Sequence, residues 1–236
     1  MIASTQPTES FIGELNEIER KHAPEQLFVA GDSNLLRLRP RISVIGSRSP
    51  SPEGLKVART IARAIVKHGG VVVSGLAKGI DTAAHLAAIS AGGKTIAVIG
   101  TGLDISYPKE NAGLQKRLMD KHLVVTQFPE GTPPKSRNFP MRNRTMALLS
   151  EGSIIIEAGA ESGTRHQGWE AIRLGRHLFL PKCLIEEEFS WPREMQEYGA
   201  IAFQPPDIVD WLDELFPVGM DPREYWQDLS ELPFKA

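Results

Sequence analysis

The stretch RISVIGSRSPSPEGLKVARTIARAIVKHGGVVVSGLAKGIDTAAHLAAIS, running from Arg41 to Ser90, decides the fold. It holds a β-branched run (Ile42–Ile45), a polar turn (Gly46-Ser47-Arg48) and a stretch of helical period (Pro52–His68). The cycle then repeats with Val71–Ser74, the turn Ser74-Gly75-Leu76-Ala77-Lys78-Gly79, and Ile80–Ala91. Strands that are apolar on both faces, alternating with helices opened near Pro52 and Asp81, are how a parallel sheet with crossover helices is written.

Working outward, the same cycle continues to Lys182. Strands are expected at Thr95–Ile99, Leu123–Thr126, Ser153–Glu157 and His177–Leu180, and helices at Glu110–Lys121, Met141–Leu149 and Arg165–Leu174. The expected fold class is α/β, a doubly wound, mostly parallel sheet with helices on both faces. Ahead of it, Thr8–Lys21 reads as a short amphipathic helix and Gln26–Leu38 as a strand and turn around Gly31-Asp32, an edge extension. Behind it, Asp207–Phe216 carries apolar Ile208, Val209, Trp211, Leu212 and Leu215 and reads as a helix laid on the body. The expected division is an N-terminal extension (1–40), a core (41–182) and an acidic C-terminal extension (183–236).

Composition narrows the function. With 236 residues, 41% hydrophobic and 24% charged, the chain can bury a full α/β core, which sets aside disordered and collagenous classes. Its single Cys183 permits neither an internal disulfide nor a cysteine-based metal site, and is read as a packing residue. No apolar run reaches the ~20 residues of a spanning helix, and Met1–Ser10 lacks the pattern of a secretory signal, so a cytoplasmic protein without a membrane partner is expected. Charge is unevenly distributed: up to Lys182 there are 24 Lys/Arg against 16 Asp/Glu, net +8, whereas the last 54 residues carry 3 against 13, net −10. The basic body suits a polyanion; the acidic end is a solvated face, a partner site or an internal mimic of that polyanion.

In an open parallel sheet, ligands sit beyond the carboxyl ends of the strands, where loops and helix N-termini offer N–H groups to anions. Three glycine-bearing turns fall there: Gly46-Ser47-Arg48, Ser74 to Asp81, and Gly100-Thr101-Gly102-Leu103-Asp104. Glycine admits close backbone approach, Ser47, Ser74 and Thr101 add hydroxyls, and Arg48 adds a bidentate fork. None matches the dinucleotide spacing G-x-G-x-x-G or the P-loop, which disfavours an ordinary NAD enzyme or NTPase. Arg142 and Arg144, flanking Asn143, add charge after Phe139, which is either a stacking ring or a core anchor. Glu157 ends a strand beside the pocket, where it orients an arginine or a ribose hydroxyl, or caps a turn. Asp81 and His85 share a helix face, but their positions fit helix start and packing better than acid–base catalysis or metal binding. No catalytic residue, metal or cofactor is expected.

Taken in order, Gly46-Ser47-Arg48, Ser74-Gly75-x-Ala77-x-Gly79-Ile80-Asp81-x-x-Ala84-His85, Gly102-Leu103-Asp104-x-x-Tyr107-Pro108, Phe139-Pro140-x-Arg142-Asn143-Arg144, and Glu157-Ala158 with Ser162-Gly163 resemble the DprA/Smf family of DNA-processing proteins, within the wider SLOG/lysine-decarboxylase-like superfamily. The resemblance covers about Leu27 to Lys182. It implies an extended Rossmann-like fold that binds single-stranded DNA in a basic pocket, forms a homodimer, and helps load a RecA-type recombinase during natural transformation. It places Ser47, Arg48, Ser74, Gly75, Lys78, Arg142 and Arg144 in or beside the phosphate pocket. This chain departs from the family pattern after Ser162-Gly163, where Thr164-Arg165-His166-Gln167-Gly168-Trp169-Glu170 replaces a small-residue helix start, and it has no evident winged helix in its acidic end. The Ser162-Gly163-Thr164 turn, with Glu157, His166 and Glu170 near one cleft, motivates a second reading: a nucleotide-binding or nucleotide-cleaving enzyme or sensor, its ligand a small nucleotide, as in a defence system.

Overall fold

A computed structural model describes residues 3–215. The order is β1 (Ala3–Pro7), α1 (Thr8–Ile12), α2 (Glu17–His22), β2 (Gln26–Gly31), β3 (Arg41–Ile45), α3 (Pro52–Lys67), β4 (Val71–Ser74), α4 (Ile80–Ser90) and β5 (Thr95–Val98). There follow α5 (Ala112–Lys121), β6 (Leu123–Thr126), α6 (Asn138–Leu148), β7 (Gly152–Ile155), α7 (Thr164–Arg173), β8 (His177–Pro181), α8 (Lys182–Ile185), α9 (Trp191–Glu197), β9 (Ile201–Phe203) and α10 (Ile208–Leu215).

All nine strands form one sheet in the order β1-β2-β6-β5-β4-β3-β7-β8-β9. From β6 to β9 every pairing is parallel; β1 and β2 add an antiparallel edge. The fold is the expected Rossmann-like α/β class. Strand order reverses at β3, with β4 on one side and β7 on the other, and that reversal opens a crevice at the carboxyl edge. Because strand side chains alternate, Ile42, Val44, Val72 and Ile154 face α3, α4 and α10, while Ile45, Val73, Ile96 and Ile155 face α6, α7 and α9. Burying both faces is what the continuous β-branched runs require.

Local signals set the helix ends. Ser51 caps α3, its Oγ accepting from Gly54 N at 3.0 Å, and Pro52 fills the first position. The expected single helix over Thr8–Lys21 is two: Gly13 at φ +91° closes α1, and Asn16 opens α2 with a capping box to Glu19. The helix expected from Met141 begins three residues earlier at Asn138, and that expected from Glu110 starts at Ala112 after a 3-10 turn. Short β1, β9, α8 and α9 had no periodicity of their own to announce them. The C-terminal helix appears as α10, with Phe216 outside the described residues; it lies on α3, His68 Nδ1 2.9 Å from Asp213 Oδ1. Among the described residues no helix is long and apolar enough to cross a membrane.

Candidate functional site

The crevice at the strand reversal is a cleft of about 560 Å³, lined from the β3 turn by Gly46, Ser47 and Arg48, from the start of α6 by Phe139, Arg142 and Asn143, and from the start of α7 by Ser162, Gly163 and Thr164. Beside it lies a smaller hollow of about 110 Å³ holding Gly75, Lys78, Gly100, Thr101 and Tyr107. Arg48, Ala77, Phe139 and Arg142 belong to both, so the two form one surface divided by the Arg48 and Phe139 side chains.

The β3 turn is held from three sides. Ser47 N donates to Glu157 O at 2.7 Å, Ile80 N donates to Ser47 O at 3.2 Å, and Ser47 Oγ accepts from Ser49 N at 3.1 Å. A Cβ on Gly46 would stand 2.7 Å from Ile80 Cγ1, so only glycine lets the turn close onto α4. This stitching leaves Arg48 exposed, its guanidinium carbon 5.6 Å from the centre of the Phe139 ring. The Glu157 carboxylate is not in the cleft lining. It accepts from Ser51 N at 3.1 Å and Ser51 Oγ at 2.7 Å, tying the end of β7 to the cap of α3.

Beneath the cleft lies a buried charge pair. Arg142 Nη1 donates to Gly75 O at 2.6 Å and to Val98 O at 3.0 Å, and a Cβ on Gly75 would fall 1.6 Å from that nitrogen. Burial pulls the Arg142 pKa down, opposed by the Asp81 charge; burial pushes the Asp81 carboxyl up, opposed chiefly by Arg142. Asp81 also accepts from Ala77 N at 3.2 Å. Arg142 is thus a fixed positive charge in the floor with its Nη1 committed to backbone, and Arg48 and Lys78 are the exposed cations above it.

The remaining sites foreseen from sequence divide in the same way. Ser74 Oγ donates to Val44 O at 2.7 Å, tying the end of β4 to β3, and Thr101 Oγ1 donates to Ile105 O at 2.9 Å within its loop, so both hydroxyl protons are committed to backbone. Gly100 O accepts from Asn138 Nδ2 at 3.0 Å, and Asn143 Nδ2 donates to Gly163 O at 3.1 Å, joining the middle of α6 to the start of α7. The Ser162 and Thr164 hydroxyls lie 2.8 Å apart at the N-terminus of α7. Lys78 pairs with exposed Glu110. Arg144 is absent from the lining and lies 3.4 Å from Glu170, which also binds Arg173 at 2.7 Å. His85 is buried, its Nδ1 2.7 Å from Thr95 Oγ1. Since that hydroxyl donates to Val72 O, Nδ1 is assigned the proton; burial takes the pKa to about 3 and the ring is neutral.

One residue was missed. Tyr107 stands at the mouth of the smaller hollow, 42% exposed, its ring 5.6 Å from that of Phe139 at 37°. Its signal in the sequence is the Tyr107-Pro108 pair a few residues beyond a strand end. Two rings beside exposed cations over a buried guanidinium form a surface whose chemistry suits a flat, anionic ligand, since cations attract phosphates and ring faces stack on bases.

A family model described as DNA recombination-mediator protein A matches residues 5–210. The DNA processing protein DprA of Streptococcus pneumoniae is 46% identical over 165 residues, 70% of this chain and 58% of that protein. The X-ray structure of the pneumococcal protein superposes with a TM-score of 0.75 at 36% identity, covering 88% of this chain and 73% of that one. A Helicobacter pylori DNA processing protein A structure, described by its single-stranded DNA binding mode, superposes with a TM-score of 0.76 at 27% identity, covering 90% of this chain and 96% of that one. This chain therefore spans 58% of the pneumococcal relative and 65% of the Bacillus subtilis one.

Proposed function

This chain belongs to the DNA recombination-mediator protein A family, the DprA/Smf proteins, and from that premise we propose that it is a DNA-processing protein that binds single-stranded DNA across the cleft and hollow divided by Arg48 and Phe139. The observation that carries the reading is the exposed Arg48 guanidinium held against Phe139 at the strand reversal, with the Tyr107 ring tilted against the Phe139 ring. Arg48 and Lys78 neutralise successive phosphates, Phe139 and Tyr107 take bases on their faces, and the α7 N-terminus at Thr164 receives a further phosphate. Buried Arg142 supplies field rather than a contact, and Gly46, Gly75 and Gly100 let Ile80, Arg142 and Phe139 pack against the turns that carry the site. The protein acts by binding, with no bond broken. Assistance to a RecA-type recombinase and action as a homodimer complete the reading.

Fluorescence anisotropy with a labelled single strand of about 30 nucleotides, compared with duplex, tests it. Salt-sensitive binding that prefers the single strand is expected, with Arg48→Ala weaker by about tenfold on every sequence alike. Absence of oligonucleotide binding at low salt would overturn it, and thermal stabilisation by a mononucleotide in its place would assign the cleft to a small nucleotide.

A further inference from the structure

Outside the cleft, a groove of about 490 Å³ runs between the outer faces of α3 and α4. It starts at Lys78 and Gly79, where α4 leaves the β4 turn, and reaches Ser90 at the end of that helix, a course of about 15 Å. Arg59 and Arg63 of α3 stand along it one helical turn apart, both exposed, and neither forms an ion pair with a described residue. Among the described residues no Asp or Glu lines the groove. Its floor is apolar, built from Leu55, Ala83 and Leu86, and Leu86 is 46% exposed there.

The groove joins the surface already described. Lys78 lines both the groove and the hollow that holds Gly100, Thr101 and Tyr107, so the two meet at its side chain. A Cβ on Gly79 would stand 2.4 Å from Ser47 O; glycine there lets the start of α4 close on the β3 turn and brings Lys78 beside the segment that carries Arg48. The Lys78 partner, Glu110, is exposed as well, and such a pair parts at little cost. Arg48, Lys78, Arg59 and Arg63 thus link the strand reversal to the outer face of the helices. A row of cations over an apolar floor free of carboxylates suits a polyanion that carries bases: phosphates meet the guanidinium forks, and bases leave water against the floor.

We propose that single-stranded DNA leaving the hollow at Lys78 continues along the α3–α4 groove, where Arg59 and Arg63 each bind a phosphate. The inference rests on the DNA reading above and extends its site, so that strand length sets affinity together with charge. An acidic amphipathic helix of a protein partner would also meet cations over an apolar floor. The shared Lys78 favours the strand, because the groove continues a surface whose chemistry already suits one.

Anisotropy at several salt concentrations, with labelled single strands of about 6 and about 30 nucleotides, separates the groove from the cleft. Arg59→Ala/Arg63→Ala is expected to bind the shorter strand, confined to the cleft and hollow, as the wild type does. It should bind the longer strand about tenfold more weakly, with the slope of log K against log salt flatter by roughly 1.4 for two lost phosphate contacts. Leu86→Glu, which sets a carboxylate in the floor from the other helix, should also weaken the longer strand selectively, and serves should the double variant fail to fold. Unchanged affinity and slope for the longer strand in both variants would overturn the proposal and leave the DNA reading standing. So would an equal loss on both lengths, which would mean that the arginines act through their field alone. A labelled acidic amphipathic peptide held by the wild type and lost in the variants, with strand binding unchanged, would overturn it by assigning the groove to a protein partner. Failure of the wild type to bind either strand would remove the DNA reading itself, and this extension with it.

Discussion

At Gly75 a single methyl group decides whether Arg142 keeps its place. A side chain there would overlap the guanidinium that binds the Gly75 and Val98 carbonyls, and the displaced charge would leave those acceptors and Asp81 buried without it. Gly75→Ala is expected to cost about 3 kcal/mol, read from the urea midpoint, the range for breaking a buried charge network. Phe139 and Arg48 separate differently. Phe139→Ala should weaken single-strand binding by about 1–3 kcal/mol while leaving the salt slope unchanged, because stacking releases no counterion. Arg48→Ala should flatten the slope of log K against log salt by roughly 0.7. Affinity titrations at several salt concentrations distinguish the two, and a reduced slope in Phe139→Ala would mean the ring acts by positioning Arg48. The ring and the charge were visible in sequence; that Arg142 lies beneath the surface and Arg144 pairs with Glu170 was not, because two residues apart on a helix point in different directions.

Among the elements, α3 and α4 carry the most weight, since both start at the cleft. Ser51 caps α3 and also donates to Glu157, so Ser51→Ala removes a cap and a link to β7 together; a loss of about 1–2 kcal/mol in thermal or urea unfolding is expected. Helix α4 is buried along His85, whose pKa falls from 6.5 to about 3 in the folded chain. Between those values the unfolded chain binds a proton that the folded chain refuses. Stability is therefore full above pH 6.5 and declines as pH falls toward 3, by up to about 1.4 kcal/mol per unit. Asp81, whose pKa is raised, contributes with the opposite sign: its share is present below the ordinary carboxylate value and is lost as pH rises through the raised one. Urea unfolding of the wild type and His85→Leu at about pH 7 and pH 5 isolates the histidine, and the variant should lose less stability across that interval. Equal losses would mean that His85 titrates normally.

Over the whole molecule, the nine-stranded sheet converts a chain pattern into a polarity: one edge collects turns from β3, β4, β5 and β7, and Arg48, Lys78 and Arg142 gather there. If the strand meets two or three phosphate contacts there, log K against log salt should slope by roughly −1.4 to −2.1, measured by anisotropy. A slope near zero would remove the electrostatic basis of the reading.

The sequence alone determined the sheet core, because parallel strands buried on both faces must be written as short β-branched runs and their crossovers as helical stretches, a code read locally. It also determined that glycine turns converge at one edge, since topology follows from strand–helix alternation. Only the tertiary structure decided which polar groups there stay available to a ligand. Ser74, Asn143 and Arg142 resemble Arg48 and Lys78 in sequence, but their hydrogen bonds go to carbonyls that the fold brings near from distant positions. Whether a polar atom is committed or available depends on partners far along the chain, and local spacing carries no record of them.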